Sequence, residues 1–170
     1  MTVGFDLVIR APRAICRGAE MPATIGVRAG RIAAVGPLEH TAAAQNVIEL
    51  TDREVLLPGL VDSHVHICEP GHADWEGFAT ATMAAAAGGM PAQLASLRKK
   101  GRIAPGYDAD FCIFAPDDPF LVDPAMICHK HPLTPYADRT LTGTVSASIL
   151  RGELIDLARP RGELLRRDPK

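Results

Sequence analysis

Apolar and polar positions alternate in short bursts over the opening of the chain, a period of two that builds strands rather than helices. Phe5-Asp6-Leu7-Val8-Ile9 and Thr24-Ile25-Gly26-Val27 carry it first. Gly30 can supply the positive φ that turns Val27-Arg28 back into a third strand, Arg31-Ile32-Ala33-Ala34-Val35. Val47-Ile48-Glu49-Leu50 and Glu54-Val55-Leu56-Leu57 add two more before Pro58-Gly59 ends the series. Strands return late in the chain, in Ala109-Asp110-Phe111-Cys112-Ile113-Phe114, in Phe120-Leu121-Val122 and in Thr144-Val145-Ser146-Ala147-Ser148-Ile149-Leu150.

Between these β-rich ends the pattern changes. Residues 60–67 are apolar apart from Asp62, Ser63 and two histidines, which predicts a strand buried on both faces, as in a parallel sheet. After a turn at Pro70-Gly71, Asp74 can cap a helix from Trp75. Trp75, Phe78, Ala79 and Thr82 would share one face of it, and Gly88 would stop it. A second helix is predicted over 91–100, with Pro91 at its first position, Leu94 and Leu97 on one side and Lys99-Lys100 against its negative end. Met90 is a poor cap for that helix. The tail, 156–170, is charged and expected to fray.

Composition narrows the class. A chain of 170 residues fits one domain, or one with a small appendage, and can bury a real core. A net charge of -2 offers no basic stripe for nucleic acid. The uncharged run 77–97 is long enough to raise a membrane span, yet its Ala, Thr, Gln and Ser content and the central Gly88-Gly89-Met90-Pro91 point to short soluble helices. The opening residues do not read as a signal peptide. Cys16, Cys68, Cys112 and Cys128 form no C-x-x-C pair, so reduced thiols in a cytoplasmic protein are expected.

Candidate chemistry concentrates at Asp62-Ser63-His64-Val65-His66. In a strand, Asp62, His64 and His66 project together while Val61, Ser63, Val65 and Ile67 project oppositely. Two imidazoles about 7 Å apart along a strand can converge on one divalent ion. Taken without their flanks, they read more simply as polar residues at an exposed strand end. His129-Lys130-His131 repeats the spacing but precedes Pro132 and reads as a solvated loop. His40 reads as solvated, Trp75 as a core anchor and Lys99-Lys100 as a helix-end charge pair. Neither a phosphate-binding glycine loop nor a Ser-His-Asp arrangement can be argued.

The flanks make the motif specific. Pro58-Gly59-Leu60-Val61-Asp62-Ser63-His64-Val65-His66 resembles the metal-binding first barrel strand of the amidohydrolase superfamily, which hydrolyses C–N bonds in cyclic amides and related substrates. Glu69-Pro70-Gly71, Asp74-Trp75-Glu76-Gly77-Phe78 and the run Ala84-Ala85-Ala86-Ala87-Gly88-Gly89 resemble allantoinases more than dihydroorotases or hydantoinases. Lys100-Gly101-Arg102-Ile103-Ala104-Pro105-Gly106-Tyr107-Asp108-Ala109-Asp110, Leu133-Thr134-Pro135-Tyr136 and Leu150-Arg151-Gly152 are similar to the closing segment of the same enzymes. The resemblance thus runs from Phe5 to about Ile155. Cys68 departs from it, standing where such enzymes often carry Asn or Ser near the substrate.

The resemblance implies a binuclear centre of zinc or another divalent metal, a carboxylated lysine bridging the ions, further histidines, and an aspartate that handles protons. Bridging hydroxide would open a small cyclic ureide, allantoin, to allantoate. Only His64 and His66 have counterparts here as metal ligands, with Asp62 placed to orient an imidazole. No catalytic residue can be carried over, and the substrate contacts are unknown.

Length conflicts with the whole enzyme. A (β/α)8 barrel takes about 250 residues, yet only residues 67–100 separate His66 from Gly101, where the closing signature begins. The simplest account joins Gly88-Gly89-Met90 to Pro91-Ala92-Gln93-Leu94 across a deletion, with the poor cap at Met90 as its seam. The expected fold is α+β: a small β-sandwich from both chain ends, 1–58 with 101–155, plus a remnant barrel strand and two helices over 59–100. Trp75, Phe78, Leu94 and Leu97 would cover part of the surface that the barrel once covered, leaving a residual apolar patch and a tendency to self-associate. The expected function is that of an allantoinase-type enzyme by descent, inactive alone; the alternative is a noncatalytic module that associates with a full-length homologue.

Overall fold

The computed structural model describes residues 4–40, 42–62, 66–72, 74–90, 92–93, 99–128 and 131–157. Among them the fold is α+β, with one large sheet and one α-helix.

Three hairpins set the frame. β1 (Phe5–Cys16) turns into β2 (Ala19–Arg28) through Arg17-Gly18, and β2 into β3 (Arg31–Gly36) through Ala29-Gly30. Near the other end β9 (Thr140–Leu150) turns into β10 (Glu153–Leu154) through Arg151-Gly152. Each two-residue connection has positive φ at both positions, the geometry whose twist matches that of the flanking strands. The turn foreseen at Gly30 is therefore one of three. β1 passes through Pro12 by shifting register between Ala11 and Ala14, which spares the ladder the missing N–H.

The ends of the chain meet in hydrogen bonds. β4 (Ala44–Glu49) runs parallel to the first half of β1, and Ala14 farther along β1 bridges to β5 (Val55–Pro58). β5 pairs antiparallel with β8 (Phe111–Leu121), Val55 opposite Phe114 and Pro58 opposite Phe111, and β8 pairs with β9. The order is β10-β9-β8-β5-β1-β2-β3, with β4 beside β1. These eight strands thus join in one branched sheet. Phe120 and Leu121 belong to the same strand as Phe111, the register shifting between Ala115 and Pro119. The core draws on both ends: Ile9, Ile25, Ile32, Leu56, Phe111 and Ile149 are all buried within it. None of its described members lies between residues 57 and 102.

The middle segment differs from expectation at four points. The strand foreseen over 60–67 is β6 (Val61–Asp62), with Leu60 and Val61 exposed; residues 63–65 lie outside the described residues. The helix, α1 (Phe78–Ala87), starts three residues later than expected, with Gly77 rather than Asp74 at its N-cap. Glu69 takes over the capping role, its carboxylate accepting the Phe78 N–H at 2.9 Å. Gly88 does end the helix, but the left-handed residue is Gly89, whose N–H reaches Ala86 O while that of Met90 reaches Ala85 O.

The second helix foreseen over 91–100 is the fourth difference. Ala92–Gln93 form β7, parallel to β6, and Lys99 sits in a turn; 91 and 94–98, including Leu94 and Leu97, lie outside the described residues. Ala92 therefore begins no helix for Met90 to cap. The fraying tail lies outside the described residues from 158 onward.

Candidate functional site

The histidine stretch begins where β5 leaves the sheet. Gly59 N–H donates to Asp110 O at 2.8 Å and Leu60 N–H to Gly89 O at 3.1 Å, which carries the chain into β6. Asp62 is the second residue of β6, opposite Gln93. His64 lies outside the described residues. His66 is described; it is exposed and belongs to no strand, so the alternation that would aim Asp62, His64 and His66 together does not continue to it.

The residues beyond His66 fold into a compact loop. Cys68 N–H donates to Glu76 O at 3.0 Å, His72 N–H to Cys68 O at 2.8 Å, and Trp75 N–H to His72 O at 2.9 Å. The His72 ring stacks on Trp75 with centroids 5.1 Å apart. Glu76 accepts the Thr80 hydroxyl. Trp75 and Phe78 are 63% and 52% exposed, which corrects the reading of Trp75 as a core anchor. Starting α1 at Phe78 removes Trp75 from the helical face meant to bury it.

The described donors by themselves form no metal centre. Three protein ligands is the minimum for a catalytic zinc site, and among the described residues no three His, Cys, Asp or Glu side chains lie together. Glu69 is committed to the end of α1, and His72 packs against Trp75. His131 is exposed, while His129 and Lys130 lie outside the described residues. His40 is exposed too, but it helps line a cleft of about 300 Å3 with Phe5, Val8, Thr24 and Val35, none of it from the middle segment.

A buried ion pair was not foreseen from the sequence. Lys100 is no helix-end charge: its ammonium lies 2.5 Å from Asp110 and 3.1 Å from Asp108, its side chain 5% and that of Asp110 1% exposed. Arg31 also reaches Asp108, at 3.4 Å. The signal was present in the spacing, because Asp108 and Asp110 share one face of an extended chain. All four cysteines are free thiols. Burial pushes the Cys112 thiol up to about 11, and it raises that of Cys16 as well. No described helix is long and apolar enough to cross a membrane.

Comparison with known proteins finds similarity over part of the chain. An allantoinase of Streptomyces avermitilis is 49% identical over 85 residues, covering 50% of this chain and 19% of the relative. Over that stretch the chain is similar to this allantoinase. An allantoinase of Salmonella paratyphi B is 42% identical over 88 residues, 52% of this chain and 19% of that one. The chain thus spans about a fifth of the length of these relatives. A solved structure of an L-hydantoinase (dihydropyrimidinase) from Arthrobacter aurescens is 27% identical, covering 52% of this chain and 20% of that one with a TM-score of 0.47. No family model matches.

Proposed function

We propose that this chain descends from an allantoinase-type cyclic amidohydrolase whose central barrel has been lost, and that alone it does not open the ring of a cyclic ureide. The observation carrying this reading is the 49% identity to an allantoinase, set against the short stretch 67–100 between His66 and the closing signature.

In the parent reaction, divalent metal would supply a hydroxide nucleophile and polarise the amide carbonyl. His64 and His66 occupy the positions of ancestral ligands, and Asp62 that of an orienting carboxylate. A bridging lysine, further histidines and an acid-base aspartate have no counterparts, and such groups act as a unit, so losing them removes several orders of magnitude in rate.

Purified protein incubated with zinc or cobalt and allantoin is expected to release no allantoate above a metal blank. Clear turnover overturns the proposal. Metal analysis sharpens it: substoichiometric zinc, unchanged by His64→Ala or His66→Ala, is expected, and stoichiometric histidine-dependent zinc argues for a working site instead. The exposed Leu60, Val61, Trp75 and Phe78 support self-association through the middle segment. Sedimentation as a monodisperse monomer counts against that.

A further inference from the structure

Both ends of the middle segment are fastened to one residue. At the entrance, Gly59 N–H donates to the Asp110 carbonyl at 2.8 Å. At the exit, the Lys100 ammonium pairs with the Asp110 carboxylate, and Asp108 N–H donates to Lys99 O at 2.8 Å. Asp110 is itself pinned to the sheet, its other carboxylate oxygen accepting the Arg151 N–H at 2.9 Å in the β9–β10 turn. Between these ends two further holds are described: Ser148 on β9 donates its hydroxyl to Ala86 O at 2.6 Å, and Gly89 packs directly on Cys112.

Among the described residues, what lies beyond the fastening has little of its own to keep it folded. No described residue of 59–100 joins the apolar core, and α1 buries none of its ten residues. A helix that short is marginal in water without tertiary packing. β6 and β7 contribute two residues each. Sub-global opening follows units of this kind, where few buried contacts hold an element to its neighbours.

We propose that the Asp110–Lys100 pair is a clasp, closing 59–100 into a loop that opens as a unit while the sheet stays folded. The clasp sets how often α1 is released from its contact with β9. It stands independently of any allantoinase ancestry, since it rests only on contacts of this chain.

Hydrogen exchange followed by mass spectrometry on the full chain tests it. In the unaltered protein, amides of 78–87 are expected to exchange at least tenfold faster than those of β1 and β2. A single change at Lys100 would strand a buried carboxylate, so the paired variant Lys100→Met with Asp110→Asn is used; it keeps the acceptor for Arg151 N–H. This variant should exchange 78–87 a further tenfold faster with β1 and β2 unchanged. Ser148→Ala, away from the clasp charges, should produce a smaller acceleration confined to the same amides. Equal protection of α1 and β1, loss of the sheet in the paired variant, or unchanged 78–87 exchange in it each overturns the clasp.

Discussion

Leu56, Phe111 and Ile149 come from three distant parts of the chain and are fully buried side by side in the sheet, whereas α1, formed by consecutive residues, buries none. The two regions carry comparable apolar content by sequence. The difference is where those side chains find partners: strands pair across long separations and interdigitate, while the middle segment hangs from a few polar contacts and one glycine approach. Apolar composition alone therefore does not make a core; complementary faces do.

The largest expected effect lies on the sheet side. Phe111→Ala should cost about 3–5 kcal/mol, because a fully buried aromatic leaves both a transfer loss and a cavity. Urea denaturation should show the midpoint falling sharply or the fold lost. A midpoint close to that of the unaltered protein would mean that the sheet is not the stable half.

The join between the regions should respond next. A Cβ on Gly89 would stand 2.4 Å from Cys112 Sγ, at φ +77. Gly89→Ala is therefore both overpacked and strained, and should cost about 1–3 kcal/mol. Unchanged stability in the same denaturation would mean that α1 does not rest on β8.

Cys112 offers a gentler probe of the same join. Its folded value, about 11, lies above the ordinary 9.0 because burial disfavours the thiolate. The unfolded chain thus loses this proton first as pH rises. The contribution is complete below pH 9 and declines through pH 11, by on the order of 1 kcal/mol at pH 10. Chemical denaturation at pH 8 and pH 10 should reveal a decline that Cys112→Ala reduces. A decline of equal size in that variant would assign it to other groups.

Legibility followed the same division. The strands of both ends were readable because alternation such as Phe5-Asp6-Leu7-Val8-Ile9 reports a half-buried face directly, and Gly30 announced its hairpin. Their merger into one sheet was not readable, since no local pattern says that β5 will find β8. In the middle segment, residues 60–67 are as apolar as a buried strand, but burial depends on neighbours, and Leu60 and Val61 are exposed. Asp74 looked like a cap because local spacing allowed it; Glu69 won because the loop brings its carboxylate back over the first turn. The histidine stretch was legible as a motif through its flanks, not as a site, because ligand convergence is a property of the surrounding fold. Lys100 was misread for the converse reason: charge next to Gly101 suggests a helix end, and only the fold shows it buried against Asp110.

The smallest effect expected is also the most discriminating. Trp75 is the largest side chain in the molecule, and in an ordinary core its truncation would cost as much as that of Phe111. Here its ring is mostly in water and its described ring contact is the His72 stack, so Trp75→Ala should shift stability by no more than about 0.5 kcal/mol. Tryptophan fluorescence of the unaltered protein gives a second reading, because the chain contains a single Trp. Its emission should be that of a solvated indole and should be readily quenched by acrylamide. A blue-shifted, protected emission that reddens on dilution would place the ring in a contact between copies and move the middle segment's missing partner from within the chain to a second one. A protected emission independent of concentration would instead bury the ring within one chain, and the contrast between sheet and segment would collapse.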